Sequence, residues 1–300
     1  MAADDRNDID ELFDVKNAYY IGNYQNCINE SSKLRNISAE NQIIKDVFVY
    51  RSYIAQKKYK LVIDEINEKS DQQFYILKLL AQYLNDPSSR ENIKHEIENY
   101  ANPTLCLYKI VAASIFIQEK ELEIAFDILY DSNDLECLAM TIQIYLQLKR
   151  VDLARTILLK MQAIDEDASL TQLSTAWIDL AIGIDKAQEA FYIFQDFCDK
   201  YTSSVILLNG LAAAHIHLKQ YEEADNCLRE ALEKDSNNPE TLINLIVTSQ
   251  LLEKPTEICQ RFINQLKDEF PGHPFVKEIN NKELEFDKLA KIYMEDILVK

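Results

Sequence analysis

Residues Val205 to Asn238 read VILLNGLAAAHIHLKQYEEADNCLREALEKDSNN, and a variant of the same 34-residue wording begins again at Pro239. Within it Leu208, Leu211, Ala212 and His215 recur at spacings of three and four, which places them on one face of a first helix. Ala224, Leu228 and Ala231 do the same for a second. The pattern predicts two short helices packed face to face, with Tyr221 filling the turn between them. Ala224 and Ala231 lie about two turns apart, where a small side chain lets a neighbouring helix come close. Asp235, Ser236, Asn237 and Asn238 bond readily to nearby backbone; they are expected to close the unit and cap a next helix that Pro239 can start.

This unit resembles the tetratricopeptide repeat, with Ser236 in place of the usual proline. Sliding the pattern along the chain extends it. After Pro239, Leu242, Leu245 and Ile246 form a first helix, Ile258, Phe262 and Leu266 a second, and Pro271 stands at the exit. Upstream, the small position of the second helix falls at Ala190, Ala154 and Ala125, with spacings of 34, 36 and 29 residues counted back from Ala224. YIGNYQNCI (Tyr20 to Ile28) and YIAQKKYKLVI (Tyr53 to Ile63) each carry an aromatic, a short turn, then a tyrosine and an apolar face. The expectation is a single all-α array over residues 1–300, a right-handed superhelix of about eight divergent helical hairpins with a C-terminal helical cap. The stretch Gln72 to Pro103 is its least regular part, and Asp86-Pro87-Ser88-Ser89 its softest point. Only 4 glycines and 6 prolines among 300 residues leave little turn chemistry for a β-rich fold. A solenoid also accommodates 47% hydrophobic residues without one large central core.

The six cysteines, Cys27, Cys106, Cys137, Cys198, Cys227 and Cys259, are scattered with no CxxC pair. They read as small buried thiols of a reducing compartment. There is no apolar run of membrane-spanning length, and the acidic opening MAADDRNDIDELF is unlike a secretory signal, so a cytoplasmic protein is expected. A net charge of −18 argues against electrostatic binding to nucleic acid or anionic lipid. Glycines at Gly22, Gly183, Gly210 and Gly272 cannot assemble a phosphate-cradling loop. His215 and His217 point in different directions on a helix and cannot share a metal; one core and one groove histidine is the simpler reading. Asp165-Glu166-Asp167 precedes the amphipathic stretch LTQLSTAWIDLA and suits a helix start better than an acid/base pair. Trp177 reads as core. No catalytic residue, cofactor or metal site is expected, and the chain is not expected to be an enzyme.

What remains is the inner surface of the array. The repeat register turns Ile206, Asn209, Ala213, Ile216 and His217 inward from one first helix and Ile243, Val247 and Leu251 from the next. Earlier repeats contribute Leu107, Ile110, Ile117, Ala139 and Leu146. Most are apolar, which a soluble monomer does not readily expose as one strip. Tight coiling or a terminal helix is one cover for such a strip; a bound protein segment is the reading favoured here. A chaperone adaptor that grips acidic C-terminal tails needs Lys or Arg on the groove. The corresponding places hold Ala213, His217, Val247 and Leu251, despite a suggestive Asn244.

A closer resemblance spans nearly the whole chain. DELFDVKNAYYIGNYQNCINE (Asp10 to Glu30), MTIQIYLQLKRVDLAR (Met140 to Arg155), DEDASLTQLSTAWIDLA (Asp165 to Ala181), EALEKDSNNPETLINLIV (Glu230 to Val247) and HPFVKE (His273 to Glu278) look like the epsilon-subunit family of coatomer, in that family's order. The wording is looser between Gln72 and Asp131. The resemblance implies a structural subunit of the heptameric coatomer (COPI) coat that curls around the C-terminal region of the alpha subunit. It also implies a place on Golgi membranes and vesicles reached through other coat subunits, in Golgi-to-ER and intra-Golgi transport. The alternative is another cytosolic tetratricopeptide scaffold or chaperone adaptor.

Overall fold

The computed structural model describes residues 10–35, 37–66, 71–100 and 104–298; most of the acidic opening and Pro103, the end of the irregular stretch, lie outside the described residues. The described residues hold seventeen α-helices, one 3-10 turn and no strand. They divide into two compact units, Met1–Ser204 and Val205–Lys300.

The first unit contains α1 (Phe13–Tyr20), α2 (Tyr24–Lys33), α3 (Ala39–Ala55), α4 (Tyr59–Glu65), α5 (Gln72–Asn85), α6 (Arg90–Glu98), α7 (Cys106–Gln118), α8 (Leu122–Leu129), α9 (Leu135–Gln147), α10 (Val151–Ile164), α11 (Ser169–Ile182) and α12 (Ala187–Lys200). The second contains α13 (Val205–His217), α14 (Tyr221–Lys234), α15 (Pro239–Leu251), α16 (Thr256–Glu269) and the long α17 (Pro274–Leu298). Odd and even helices pair as hairpins, and first helices also pack on the first helices of the next hairpin, as α7 does on α9 and α13 on α15.

One turn recurs inside these hairpins. Gly22, Lys57, Lys120, Lys149, Lys219 and Glu253 all take positive φ, from 51° to 80°. Each donates its N–H to the carbonyl three residues back, and the following residue donates to the carbonyl five back, as in Lys219 to Ile216 and Gln220 to His215. This closes the first helix and reverses the chain within a few residues. The helix starts are signalled by side chains: Asn23, Ser38, Asp71, Asp134 and Asn238 each accept a backbone N–H of the helix they precede. Pro239 is the first residue of α15, as the spacing predicts.

Packing follows the small residues. Ala125, Ala154, Ala190, Ala224 and Ala231 are all fully buried, so the predicted close approaches are the ones the fold uses. In the first unit the core runs from α3 to α9, continues between α9 and α11, and has a smaller cluster under α1 to α3. Trp177 packs against the α9–α11 cluster. In the second unit the core lies between α13 and α16 and reaches Phe275 and Val276 at the start of α17. Farther along α17, Leu284, Phe286 and Leu289 are exposed. The irregular stretch resolves into α5, a 3-10 turn at Pro87–Ser89 whose start is held by the Asp86 carboxylate accepting the Ser88 N–H, and α6. The acidic cluster Asp165-Glu166-Asp167 does stand before α11; Asp165 accepts the N–H groups of Asp167 and Ala168 and shapes the turn into it.

Candidate functional site

In the first unit the first helices surround a cleft of about 480 Å³. Its walls come from α1, α3, the start of α5, α7, α9 and α11 and from the residues just before them, including Phe13, Phe48, Leu107, Ile110, Leu135 and Leu170. The unit curls far enough for α1 to meet α9 and α11. Tyr20 donates its hydroxyl to Glu136 Oε2 at 3.3 Å, the Ser169 hydroxyl donates to Asn17 Oδ1, and the Ser204 hydroxyl donates to the Ile21 carbonyl.

Arg51 and Glu136 lie on the cleft wall and pair through both prongs: Arg51 Nη1 donates to Oε2 at 3.1 Å and Nη2 to Oε1. The guanidinium also lies 4.5 Å from the Tyr19 ring centre and 5.2 Å from that of Phe48. Arg51 is only 8% exposed. Burial alone disfavours its charge, but the Glu136 carboxylate outweighs that and holds the guanidinium firmly protonated. Burial pushes the phenols of Tyr19 and Tyr20 upward, with Glu136 adding to both, and lifts Tyr24 to about 12. These groups are committed to one another, so they brace the cleft.

The inward residues named from the register divide into two kinds. Leu107 and Ile110 line the cleft yet are only 7% exposed, and Ala139 is buried as well. Ile117 packs half-buried on the main core of the first unit and Leu146 on the α9–α11 cluster. In the second unit Ile206 is 43% and Leu251 42% exposed. Ala213, His217 and Val247 are half-buried, and Ile216 and Ile243 are half-buried against the core. Ile206, Ala213 and His217 run along α13, and Ile243, Val247 and Leu251 recur every four residues along the adjacent α15. This gives the second unit an apolar stripe whose outer members face solvent.

Two asparagines between these two helices are already partnered. Asn209 donates to Thr241 Oγ1 at 2.8 Å, and Asn244 donates to Asn209 Oδ1 at 3.1 Å. Asn244 therefore ties α15 to α13. His215 is buried, its Nδ1 2.7 Å from Gln220 Oε1, in keeping with a core histidine, while His217 is half-buried.

Sequence reasoning missed the Arg51–Glu136 brace and the meeting of Cys106 with Cys137, whose sulfurs are 3.8 Å apart. The shared hydrogen bond holds the Cys106 thiol up and lowers that of Cys137. The partners are 85 and 31 residues apart, and neither pair has a local motif. Among the described residues no helix is long and apolar enough to cross a membrane.

Comparison with known proteins yields a consistent pattern. A family profile described as "Coatomer epsilon subunit" matches residues 8–294. Coatomer subunit epsilon-1 of Arabidopsis thaliana is 39% identical over 288 residues, covering 95% of this chain and 97% of its own length. Among solved structures, a tetratricopeptide repeat protein from Parabacteroides merdae superposes with a TM-score of 0.57 at 14% identity, over 85% of this chain and 96% of its own. A chain of the APC/C Cut9–Hcn1 hetero-tetramer gives a TM-score of 0.62, also at 14% identity, over 89% of this chain and 54% of its own. At that identity the two structures establish the fold alone: all-α, of the tetratricopeptide type.

Proposed function

The chain belongs to the coatomer epsilon-subunit family, and from that premise we propose that it is a non-enzymatic subunit of the COPI coat that holds the C-terminal region of the alpha subunit on its inner helices. The observation that carries this reading is the apolar stripe on α13 and α15, with Ile206 and Leu251 open to solvent in a chain of net charge −18. Apolar side chains gathered on adjacent first helices gain by being covered, and an extended or hairpin segment of a partner is a suitable cover. Leu107 and Ile110 offer little area, so in the first unit the partner would meet the mouth of the cleft.

Binding of this kind stabilises both partners by mass action and needs no turnover. The acidic surface leaves membrane contact to other coat subunits, which would place the protein in the cytoplasm and, within the coat, on Golgi membranes and transport vesicles. The same partner would link it to Golgi-to-ER and intra-Golgi traffic. The chaperone-adaptor alternative is less well supported, because Asn244 is spent on Asn209 and Ala213, His217, Val247 and Leu251 stand where a carboxylate clamp needs cations.

The test is a pull-down with the alpha subunit's C-terminal region, using Leu251→Asp and Ile206→Asp. An unpaired carboxylate forced into an apolar contact costs several kcal/mol, about 3 or more when fully desolvated. Capture should be lost while thermal melting is unchanged, because both side chains are exposed in the free chain. Intact capture by both variants would remove the stripe from the proposal.

A further inference from the structure

Three potential metal ligands meet where α7 and α9 begin, at the edge of the first unit's cleft. Cys106 is the first residue of α7, Asp134 caps α9, and Cys137 is the third residue of α9. One ligand atom from each lies within 4.8 Å of the other two. We propose that Cys106, Asp134 and Cys137 form a binding site for a thiophilic divalent cation, with Zn²⁺ the best match.

The sulfur spacing is the first argument. Two thiolates held about 2.3 Å from one tetrahedral zinc are about 3.8 Å apart. The Cys106 and Cys137 sulfurs stand at 3.8 Å, so no helix has to move to bring them onto a shared ion. The second argument is how the carboxylate is held. Asp134 Oδ1 accepts the N–H groups of Glu136 at 2.9 Å and Cys137 at 3.3 Å, which fixes the side chain over the start of α9. Closing the full set needs the carboxylate to shift by about an ångström, since an oxygen and a sulfur on one tetrahedral zinc are about 3.5 Å apart. Asp134 is exposed and has room for that shift.

Electrostatics and access agree. Both cysteines lie in first turns, where helix N-termini favour anionic ligands. Binding Zn²⁺ releases the thiol protons to solvent and leaves a site of charge −1, two thiolates and one carboxylate against the dication. Cys106 and Asp134 also line the cleft, so an ion held there could keep its fourth position for water or for a side chain of whatever enters. Cys137 is buried and Cys106 half-buried, which shields the sulfurs from bulk solvent on the core side.

The test uses the full chain, stripped with a chelator under reducing conditions. Zn²⁺ is titrated against a competing dye, Co²⁺ serves as a spectroscopic probe, and thiol alkylation is mapped by mass spectrometry. The proposal expects one more equivalent of Zn²⁺ than in the Cys106→Ser/Cys137→Ser variant, a thiolate-to-cobalt band lost in that variant, and protection of Cys106 and Cys137 from alkylation by Zn²⁺. Asp134→Asn, which keeps the cap, should weaken binding by about tenfold or more, at least the loss seen when outer partners of metal ligands are removed. Equal Zn²⁺ uptake by parent and serine variant, or alkylation of Cys106 unaffected by Zn²⁺, would overturn it. If the serine variant fails to fold, unchanged affinity in Asp134→Asn together with unprotected thiols in the parent chain overturns it equally.

Discussion

Arg51 on α3 and Glu136 on α9 are 85 residues apart in sequence and pair through two hydrogen bonds inside the first unit, with the Tyr20 hydroxyl donating to the same carboxylate. The pair joins α3 to α9, and Tyr20 brings in α1, so a single carboxylate links three helices of this unit. Its side chains are 9% and 14% exposed, which makes it a nearly desolvated pair.

Removing one partner of such a pair leaves the other charge buried and alone. Glu136→Ala is expected to lower unfolding free energy by about 3 kcal/mol, the lower end of the range for buried pairs because some water reaches Glu136. Replacing both residues by apolar ones of similar size should recover most of that loss. Urea denaturation of Glu136→Ala, Arg51→Ala and the double variant measures it, and an additive double variant would contradict the coupling.

The close approach at Ala224 sets a packing limit. Its Cβ is fully buried where α14 meets α13 and α15. Ala224→Leu should overpack this junction and cost about 1–3 kcal/mol, read as a lower melting temperature. An unchanged melt would contradict the register of the repeats.

Lys219 sits at φ 61° in the turn between α13 and α14. A β-branched residue is strained in that left-handed region, where even ordinary L-residues lose about 1–2 kcal/mol. Lys219 already bears that cost, so Lys219→Val should destabilise the second unit further, while Lys219→Gly, which relieves it, should be tolerated. Equal stability of the valine and glycine variants would show that the turn relaxes.

Alkaline pH should loosen the first unit. Burial raises the Tyr24 phenol from 10.0 to about 12, so the neutral form is the one the fold favours. Its contribution is complete below pH 10 and is lost as pH rises from about 10 to about 12. Tyrosinate absorbance and circular dichroism followed together across that window should show delayed ionisation and then loss of helix. Tyr24→Phe should reduce the pH sensitivity, and an unaltered profile would assign the effect elsewhere.

The hairpin grammar was legible because it is local. Ala224 and Ala231, the cap at Asn238 and the start at Pro239 all act within a few residues of where they are written, and the fold uses them as read. The inner face of the first unit was harder, and α7 shows why. Its sequence CLYKIVAASIFIQ is apolar around almost the whole helix, so periodicity marks no side as the surface; Leu107, Tyr108, Ile110, Val111, Ile115 and Phe116 are all buried. On α15 the buried Leu242, Leu245, Ile246 and Thr248 leave Ile243, Val247 and Leu251 as a separate stripe, and there the register can be read. The Arg51–Glu136 and Cys106–Cys137 meetings depend on how successive hairpins stack, a tertiary fact that spacing along the chain does not carry.

The central claim is that this chain holds the alpha subunit's C-terminal region through apolar contacts. Calorimetric titration of that region into the purified full chain, at low and at physiological salt, tests it most directly. The expected result is stoichiometric binding with a negative heat-capacity change and little dependence on salt, lost in Leu251→Asp. Absence of binding, or binding that weakens steeply with salt and survives Leu251→Asp, would contradict it.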